Sequence, residues 1–520
     1  MKTLQRLIPN LYRDSVSLMQ LSEEIQSIEG ITQASAIMAS ENNISLLLES
    51  GLLESSIEPH PNDLLIVVSG ENSKLVEKAM ETAEELLMER KDVVDSEAIQ
   101  TTPLRSIQMS LEKDWEANLA LISSPGTYAA AEALKAMSLG LHVLMFSDNV
   151  SYEDEVMLKK YSEKHDLLFM GPDCGTAIIN GLPLGFANVV KQGNIGVVAA
   201  AGTGLQQVTS LIDRKGGGIS QAIGTGGHDL SAKVGGITMR QGIRALAADS
   251  KTDVIVLISK PPSPSVMEIV LEEAEKAGKP VVINFIGADP EVISGNNLLG
   301  VPTLEAAAAA AVNLALGEKY ETPRHDDSSD LKGLAENLVA GFIPGQAFIR
   351  GLFSGGTFCF EAMHLLGKNI GPVYSNIPIN PDWMLKDVWN SYRHTAIDLG
   401  DDLFTQGRPH PMIDFRLRNE RILQEAADPE VAVILLDIVL GYGSNMDPAS
   451  EIIPAINKAH TLAKNSGRHL VFIASVCGTE SDPQNLHQQE YSLREAGVTL
   501  TESNAQAAFL AADVINNIKG

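Results

Sequence analysis

Residues 195–212 read IGVVAAAGTGLQQVTSLI, an apolar run that ends in glycines and continues with apolar positions every three or four residues over 205–212. This pattern predicts a buried strand, a tight turn and an amphipathic helix, the repeating unit of a parallel α/β sheet. The start of such a helix presents unpaired backbone N–H groups and a partial positive charge, which suit a phosphate or an oxyanion. The stretch therefore predicts an α/β fold with an anion site at Gly202, Thr203 and Gly204.

A second stretch of the same kind lies near the C-terminal end of the sequence. Residues 431–445 read VAVILLDIVLGYGSN, and Asp447 opens another predicted helix. We expect Gly443, Ser444 and Asn445 to face the same point as the first glycine turn, so that two helix starts hold one phosphoryl or acyl-phosphate group. The alternative is a pair of ordinary turns in which glycine merely permits a tight bend.

The composition indicates a soluble protein of several domains. At 520 residues, the chain predicts roughly three or four domains. Its 39 basic and 66 acidic residues give a net charge of −27, which argues against nucleic acid and anionic membranes as partners. The three cysteines have neither the spacing of a zinc site nor that of a disulfide framework, and we expect no metal. The start, MKTLQRLIPN, lacks the apolar run of a signal peptide, so we expect a cytoplasmic protein.

Strand and helix patterns predict four domains and a linker. Residues 1–90 predict a small α+β domain of the split βαβ type. Residues 117–190 and 193–316 alternate buried strands with helices, which predicts doubly wound parallel sheets. Polar residues 317–337 predict a linker, and 338–520 return to the α/β pattern. In this last domain we expect strands near 371–375, 431–437, 470–475 and 498–500.

Other candidate anion-binding residues stand at the ends of predicted strands, where open α/β sheets place their ligands. One group opens the helix predicted over 358–366, a second follows strand 470–475, and a third precedes a histidine. These residues are Gly355, Gly356 and Thr357; Gly478 and Thr479; and Gly226 and Gly227.

His228 is the candidate catalytic residue. It follows two glycines and could polarise a carbonyl or bind phosphate, although an ordinary loop histidine needs no such role. Cys174 also follows a predicted strand, but no adjacent base is evident, and we interpret it as a buried thiol. Arg416, Arg418 and Arg421 fit either a clamp for a carboxylate or phosphate or a solvated helix face.

Several of these motifs occur together in a known family. Residues 171–174 (GPDC), 193–198 (GNIGVV), 202–204 (GTG) and 224–227 (GTGG) follow the order seen in the α subunit of succinyl-CoA synthetase and its NDP-forming acyl-CoA synthetase relatives. The C-terminal part resembles the ligase domain of the partner subunit. Its matching motifs are 413–415 (IDF), 428–431 (DPEV), 441–445 (GYGSN) and 478–480 (GTE).

This resemblance covers residues 117–520 and implies the identity of each domain. It implies a CoA-binding-like Rossmann domain at 117–190 and two flavodoxin-like ligase domains at 193–316 and 338–520. The N-terminal domain resembles an ACT-type domain. In the family, two helices point at a shared phosphate site, and the two glycine turns described first stand at those places.

The sequence departs from the family where the family transfers phosphate through a histidine. Strand 281–285 (VVINF) continues into IGADP, with no histidine, and Ser259-Lys260-Pro261-Pro262 replaces the acidic residue that would support one. A nucleotide-grasp half and the nucleotide-type fingerprint for CoA are also missing. These absences leave a phosphate cradle without a phosphohistidine, which permits a direct exchange between an acyl group and phosphate.

The whole chain, including the N-terminal domain and residues 226–229 (GGHD), is most similar to the FdrA family. This resemblance implies a subunit of an oxamate carbamoyltransferase in allantoin nitrogen catabolism, working with other subunits in a hetero-oligomer. The substrates would be oxalurate or oxamate and phosphate or carbamoyl phosphate, with no certain cofactor. Two alternatives remain: a CoA-dependent acyl-CoA synthetase that works without the phosphohistidine, and a non-catalytic scaffold subunit.

Overall fold

The computed structural model divides the chain into two compact units. One unit comprises Met1–Ala117 and Asp401–Asp414, and the other comprises Asn118–Gly400 and Phe415–Gly520. The described residues are 2–9, 11, 13, 15–39, 43–44, 47–48, 52–53, 60, 63–92, 104–321, 329–405 and 408–519. Part of the predicted linker, 322–328, thus lies outside the described residues.

The first unit is built on a three-stranded antiparallel sheet. Its central strand is flanked by the other two in the order β1-β3-β2. Apolar side chains of β3 meet those of α1 and α2 in one core. The elements of this unit are β1 (Lys2–Ile8), α1 (Ser15–Gln26), β2 (Ile31–Met38), β3 (Leu64–Gly70), α2 (Ser73–Asp92) and α3 (Ile107–Lys113), with a short helical turn at Asp402–Thr405. The expected α+β fold of the N-terminal domain is confirmed.

The first part of the second unit contains two sheets, one of three strands and one of seven. Strands β4, β5 and β6 form a three-stranded parallel sheet. The elements are β4 (Leu119–Ile122), α4 (Gly126–Ser138), β5 (His142–Met145), α5 (Tyr152–Lys164), β6 (Phe169–Met170), β7 (Thr176–Ile179), β8 (Leu182–Gly185), β9 (Gln192–Ala199), α6 (Gly202–Arg214), β10 (Ile219–Gly224), α7 (Ile237–Ala248), β11 (Val254–Ser259), α8 (Pro264–Glu275), β12 (Val281–Phe285), β13 (Leu298–Gly300) and α9 (Leu304–Ala315).

The seven-stranded sheet has the order β13-β12-β11-β9-β10-β7-β8. Its strands are parallel except for the hairpin β7–β8, which joins the edge of β10 in antiparallel pairing. The hairpin falls inside the range 117–190 but belongs to the sheet of the following segment. The chain runs from β9 to β10 on one side and then crosses to β11 on the other side, so β9 is a topological switch point.

The last segment forms a five-stranded parallel sheet in the order β15-β14-β16-β17-β18. Here the chain runs from β14 to β15 on one side and then to β16 on the other, which makes β14 a second switch point. The elements are α10 (Ser329–Leu338), β14 (Phe348–Phe353), α11 (Gly356–Ile370), β15 (Thr395–Asp398), α12 (Arg416–Ala427), β16 (Val431–Val439), α13 (Pro448–Asn465), β17 (Val471–Cys477), α14 (Leu486–Glu495), β18 (Val498–Thr501) and α15 (Asn504–Lys519).

The strand expected near 371–375 is wrong. Among the described residues only two isolated bridges lie there, from Tyr374 to Thr395 and from Ser375 to Met384, whereas β14 and β15 carry the sheet pairing. β14 contains the charged residue Arg350, which interrupts the apolar run that would have marked a buried strand. Its guanidinium is 2% exposed and pairs with Glu425 at 2.9 Å, so the strand is buried in spite of its charge.

Candidate anion site

The first candidate site is the start of α6, which follows the switch-point strand β9. The helix begins at Gly202, and within the part of the chain that the structure describes no side chain caps it. The first-turn N–H groups of Gly202, Thr203 and Gly204 therefore have no side-chain acceptor. Gly202 is partly exposed, and a Cβ placed there would lie 3.6 Å from Thr176 Oγ1, an ordinary contact distance. This helix start is thus open to a ligand on its Gly202 side.

The second helix start belongs to α11, which follows the other switch-point strand, β14. Gly355 is its N-cap, and as a glycine it has no side chain to accept from the first turn. The sequence correctly located this start at Gly355, Gly356 and Thr357. Both α6 and α11 therefore begin where open α/β sheets place their ligands.

The two helix starts contact each other directly. A Cβ at Gly204 would lie 3.1 Å from Thr357 Cγ2, and one at Gly355 would lie 2.8 Å from Thr203 Cγ2. Glycine at these two positions lets the helices approach closely, because a Cβ at either would press on the threonine methyl group of the other helix. The structure thus brings residues 202–204 and 355–357 together from segments about 150 positions apart in sequence.

The start of α11 is held by a buried carboxylate. Asp437 accepts hydrogen bonds from the backbone N–H groups of Ser354 at 2.8 Å and Gly355 at 2.9 Å. Arg418 neutralises it at 2.6 Å, and both side chains are buried. A second carboxylate, that of Asp398, is also close to this start, because a Cβ built on Gly356 would collide with Asp398 Oδ2. Since two carboxylates already lie at α11, we regard α6 as the more favourable end for an anion.

A lysine adds positive charge beside these helix starts. Lys260 follows β11 at the same carboxyl edge, and its Nζ lies 5.6 Å from the ring centroid of Phe360 on α11. β11 is adjacent to the start of α6, because Ala200 N–H donates to Ile258 O at 2.9 Å and a Cβ at Gly204 would lie 3.2 Å from Ile258 Cγ2. Lys260 belongs to residues 259–262, which replace the acidic residue that the resemblance to the family leads one to expect.

Residues 443–445 do not form a second helix start opposite α6, which corrects the sequence expectation. α13 begins at Pro448, and Asp447 caps it by accepting from Ser450 N–H at 3.3 Å. Gly443 has φ +81°, and a Cβ there would lie 2.7 Å from the Phe186 ring. The loop therefore packs against the β7–β8 hairpin, and its helix start is already satisfied by a carboxylate.

Ser444 and Asn445 belong to the same packed loop. The Ser444 side chain is 7% exposed, and the backbone carbonyl of Asn445 accepts from Gln484 Nε2 at 3.1 Å. Asn445 also accepts from Asp447 N–H through its side chain at 2.8 Å. Asn445 is thus engaged within the protein, as is the helix start that follows it.

Gly478 and Thr479 also differ from the expectation that they form an anion site. The Thr479 N–H donates to Asp482 at 2.8 Å, and its hydroxyl donates to Val189 O at 2.6 Å. A Cβ at Gly478 would lie 2.8 Å from Leu440. Thr479 links the end of β17 to the segment before β9, and both of its donors are already used.

Gly226, Gly227 and His228 lie in the loop after β10. Gly226 has φ +84°, and a Cβ there would collide with Pro172 O at 2.3 Å, so the turn requires glycine. The loop carries His228 to a buried glutamate: Glu155 Oε2 lies 3.4 Å from His228 Nδ1. The contact with the Glu155 carboxylate is the main cause that raises the pKa of His228.

Sequence reasoning missed the charged residues beneath His228. Lys159 and Glu155 lie one helical turn apart on α5, and both are fully buried. Lys159 Nζ is 2.7 Å from Asp229 Oδ1 and donates to Thr225 O at 2.9 Å. The i,i+4 spacing of Glu155 and Lys159 is a signal that the sequence contains, but it is equally common on solvated helix faces.

Two of the three arginines of α12 are structural. Arg418 pairs with Asp437, and Arg421 pairs with Glu425 at 2.8 Å. Both are buried, so neither belongs to a solvated helix face and neither is available as a clamp for a ligand. The cysteine at 174 is likewise buried, and desolvation raises the pKa of its thiol to about 12. The interpretation of Cys174 as an inert buried thiol agrees with this environment.

Comparisons with known proteins place this architecture in a family. A model described as CoA-ligase matches residues 352–514, and one described as CoA binding domain matches 190–287. A model described as AllF, heavy metal-associated domain, matches 1–103. The uncharacterized protein YahF of Escherichia coli (strain K12) is 44% identical over 98% of this chain and 97% of its own length.

The chain belongs to the FdrA-like family that includes YahF. It is also 28% identical over 157 residues to the α subunit of the ADP-forming succinate–CoA ligase of Aquifex aeolicus. That match covers 28% of this chain and 49% of the subunit, so the chain spans about half of that relative. The mitochondrial subunit alpha-2 of Trichomonas vaginalis is 26% identical over 41% of this chain and 74% of its own length.

The family matches confirm an acyl-CoA synthetase-like fold. The CoA binding domain model falls on the segment of β9 to β12, whereas the resemblance assigned the CoA-binding-like domain to 117–190. The N-terminal match carries a heavy metal-associated name, but residues 1–103 contain no cysteine, the thiolate ligand that soft metals prefer. Across the described ranges no helix has the length and apolar character needed to cross a membrane.

The start of α4 fits a phosphate of CoA. α4 begins at Gly126 after Pro125, and in the described residues no side chain caps it. The hydroxyl of Ser124 beside this start is buried and has no hydrogen-bond partner among the described groups. An uncapped helix start next to an unpartnered hydroxyl is the donor set that a phosphate requires.

Proposed function

We propose that this chain is the acyl- and phosphate-handling subunit of an acyl-CoA synthetase-like enzyme. One observation supports the proposal above the others: the uncapped start of α6 contacts the start of α11, and both follow switch-point strands of their sheets. Each helix start is a weak indication by itself. Their meeting at the carboxyl edges of both sheets is the arrangement in which open α/β folds bind ligands.

The chemistry proposed for this site is the exchange of an acyl group between phosphate and an acceptor. The N–H groups of Gly202, Thr203 and Gly204 would bind phosphate oxygens, and Lys260 would add positive charge at the rim. As the acceptor attacks the acyl carbonyl, the bond to the phosphate oxygen breaks and negative charge grows on the phosphate. Fixed N–H groups stabilise such charge without reorganising.

CoA is the acceptor that the family matches favour. Ser124 and the first turn of α4, at Gly126 and Thr127, would hold its phosphate groups, and CoA would supply the thiol that accepts the acyl group. The net charge of −27 makes such local cationic and N–H donor sites necessary for anionic substrates. We expect nucleotide chemistry to come from a further subunit, because this sequence resembles no nucleotide-grasp domain.

Carbamoyl transfer is the second candidate function. It is favoured by the missing histidine in residues 286–301 and by the AllF name of the matched N-terminal model. Transfer of a carbamoyl group from carbamoyl phosphate to oxamate releases phosphate and forms oxalurate, and it needs no phosphorylated enzyme. The same helix starts would bind the phosphate, so the two candidates differ in the acceptor.

Phosphate release from an acyl phosphate tests both candidates. The purified chain, alone and with the proteins encoded beside it, is incubated with acetyl phosphate or carbamoyl phosphate and with CoA or oxamate. Release that requires CoA supports the first candidate, and release from carbamoyl phosphate that requires oxamate supports the second. No release with any pair, together with no change in melting temperature on adding phosphate, would contradict a phosphate-handling role.

A further prediction concerns whether the protein itself becomes phosphorylated. Since residues 286–301, directly after β12, contain no histidine, we expect no stable phosphoenzyme with labelled ATP or acyl phosphate. Acid-labile, base-stable label on any histidine would contradict direct exchange and indicate a relay through the protein.

A further inference from the structure

A second group of functional residues lies beside the proposed anion site. The carboxyl ends of β9 and β10 are neighbours, since Thr225 N–H donates to Ala199 O at 2.9 Å. α6 begins just after β9, and the loop carrying His228 begins just after β10. His228 therefore lies on the same edge of the sheet as the proposed phosphate site.

The imidazole of His228 is fixed on two sides. Its Nδ1 lies 3.4 Å from Glu155 Oε2, and its ring lies against Tyr152 with 4.6 Å between ring centroids. Its side chain is still 53% exposed. A ring that is oriented by a carboxylate through one nitrogen and open to solvent is the arrangement of a proton-transfer histidine.

The buried charges around Lys159 explain why the Glu155 carboxylate can pair with the His228 ring. Lys159 lies between two fully buried carboxylates, at 3.1 Å from Glu155 and 2.7 Å from Asp229. Asp229 is further occupied by the first-turn N–H groups of α7, from Thr238 at 3.2 Å and Met239 at 2.8 Å. One lysine therefore balances two carboxylates, and the remaining negative charge is available to stabilise a protonated His228.

Other charged groups around the ring are few and of both signs. Asp173, on the loop after β6, raises the pKa of His228 and Lys159 lowers it, but both contribute less than the contact with the Glu155 carboxylate. Lys233 Nζ lies 4.6 Å from the Tyr152 ring centroid, on the loop that leads to α7. The Glu155 carboxylate, which contacts the ring, therefore sets the direction in which the pKa of His228 shifts.

The geometry points to His228 as the general acid–base of the transfer proposed above, with Glu155 as its positioning residue. This inference rests on the proposed function. The neutral ring takes the proton of the attacking group, a thiol or an amide N–H, as the new bond to the acyl carbon forms and the bond to phosphate oxygen breaks. In the reverse direction, the protonated ring returns that proton to the leaving sulfur or nitrogen.

His228→Gln and Glu155→Gln test this assignment against a matched control. His165 also stacks on a tyrosine, Tyr161, at 4.0 Å, but its Nδ1 contacts a backbone carbonyl instead of a carboxylate. We expect His228→Gln to lower kcat by about 10²–10⁴ with little change in KM for the acyl phosphate. His165→Gln should leave both constants unchanged.

The pH profile separates a positioning role for Glu155 from a structural one. Because Glu155 stabilises the protonated ring, Glu155→Gln should lower the pKa of His228. Since the neutral ring is the active form in the forward direction, both the NMR titration of the ring and the acidic limb of the rate of phosphate release should move to lower pH. An unchanged titration in Glu155→Gln, or a wild-type rate in His228→Gln, would overturn the inference while the proposed function stands. Absence of transfer by the wild-type protein with every acceptor would refute the proposed function, and the acid–base role with it.

Discussion

Residues 202–204 and 443–445 look alike in sequence and differ in the structure. Each is a glycine turn after a buried strand and before a helix, so the sequence predicted the same role for both. At 202–204 the helix starts within the glycines and has no side-chain cap among the described residues. At 443–445 the helix starts later, at Pro448, and Asp447 caps it.

The difference teaches that strand order and capping, rather than glycine content, mark an anion site. α6 follows β9, where the strand order reverses, whereas the 443–445 loop follows β16, whose neighbours β14 and β17 do not reverse the order at that point. The N–H groups of a helix bind an external anion only if no side chain of the protein already occupies them. α11 also follows a switch-point strand, but Asp437 accepts from Gly355 N–H at its start, so of these two helices α6 meets both criteria. The structure places the two helix starts in contact.

Gly202→Asp should have the largest effect on function. A carboxylate in the first turn of α6 would occupy the proposed anion position and repel phosphate. We expect transfer to fall by about 10²–10³. The same carboxylate should favour the helix by about 0.3–1 kcal/mol, so activity and stability would change in opposite directions. Phosphate release and thermal unfolding measure the two effects.

Gly202→Ala is the control for that variant. A Cβ at this position meets Thr176 Oγ1 at 3.6 Å, so the methyl group fits without displacing its neighbours. We expect nearly full activity. A Gly202→Asp protein that transfers at the wild-type rate would show that the start of α6 does not bind the phosphate.

Asp447→Ala should lower stability without lowering activity. Losing the cap of α13 should cost about 0.5–2 kcal/mol of stability, and transfer should be unchanged because this helix start is not part of the proposed site. Unfolding and phosphate release are measured as for Gly202→Asp. A loss of transfer larger than the loss of folded protein would restore the 443–445 loop as a ligand site.

The pH dependence of stability gives a second measure of this cap. Although burial opposes it, hydrogen bonds from Ser450 and Gln489 lower the pKa of Asp447 below its ordinary value. A carboxyl with a lowered pKa stabilises the fold above its unfolded value of about 4, and this contribution is lost as pH falls through the folded value. The stability difference between wild type and Asp447→Asn should therefore be constant near neutral pH and narrow on acidification below about pH 4.

The sequence located single strand–turn–helix units well but could not pair them. Periodicity is local, so it placed the starts of α6 and α11 correctly from residues 202–204 and 355–357. Which helix start faces which depends on strand order, and nothing in the residues around Gly443 reports that β14, not β16, is the switch point. The contact of Glu155 with His228 was invisible for the same reason, because α5 and the loop after β10 are about 70 residues apart.

Lys260→Met should give the smallest effect. Its control variant, Lys276→Met, distinguishes an effect of the local charge from an effect of the net charge of the protein. Lys260 is exposed beside α11, so its attraction for phosphate is screened by water and salt. We expect KM for the acyl phosphate to rise by a few-fold at low salt, equivalent to about 0.2–1 kcal/mol, with kcat unchanged and the difference shrinking as salt is added. Lys276→Met removes the same charge at the end of α8, on the opposite edge of the sheet because β12 begins shortly after it. If both variants raise KM equally, the lysine acts through the net charge of −27 and not through the α6 site.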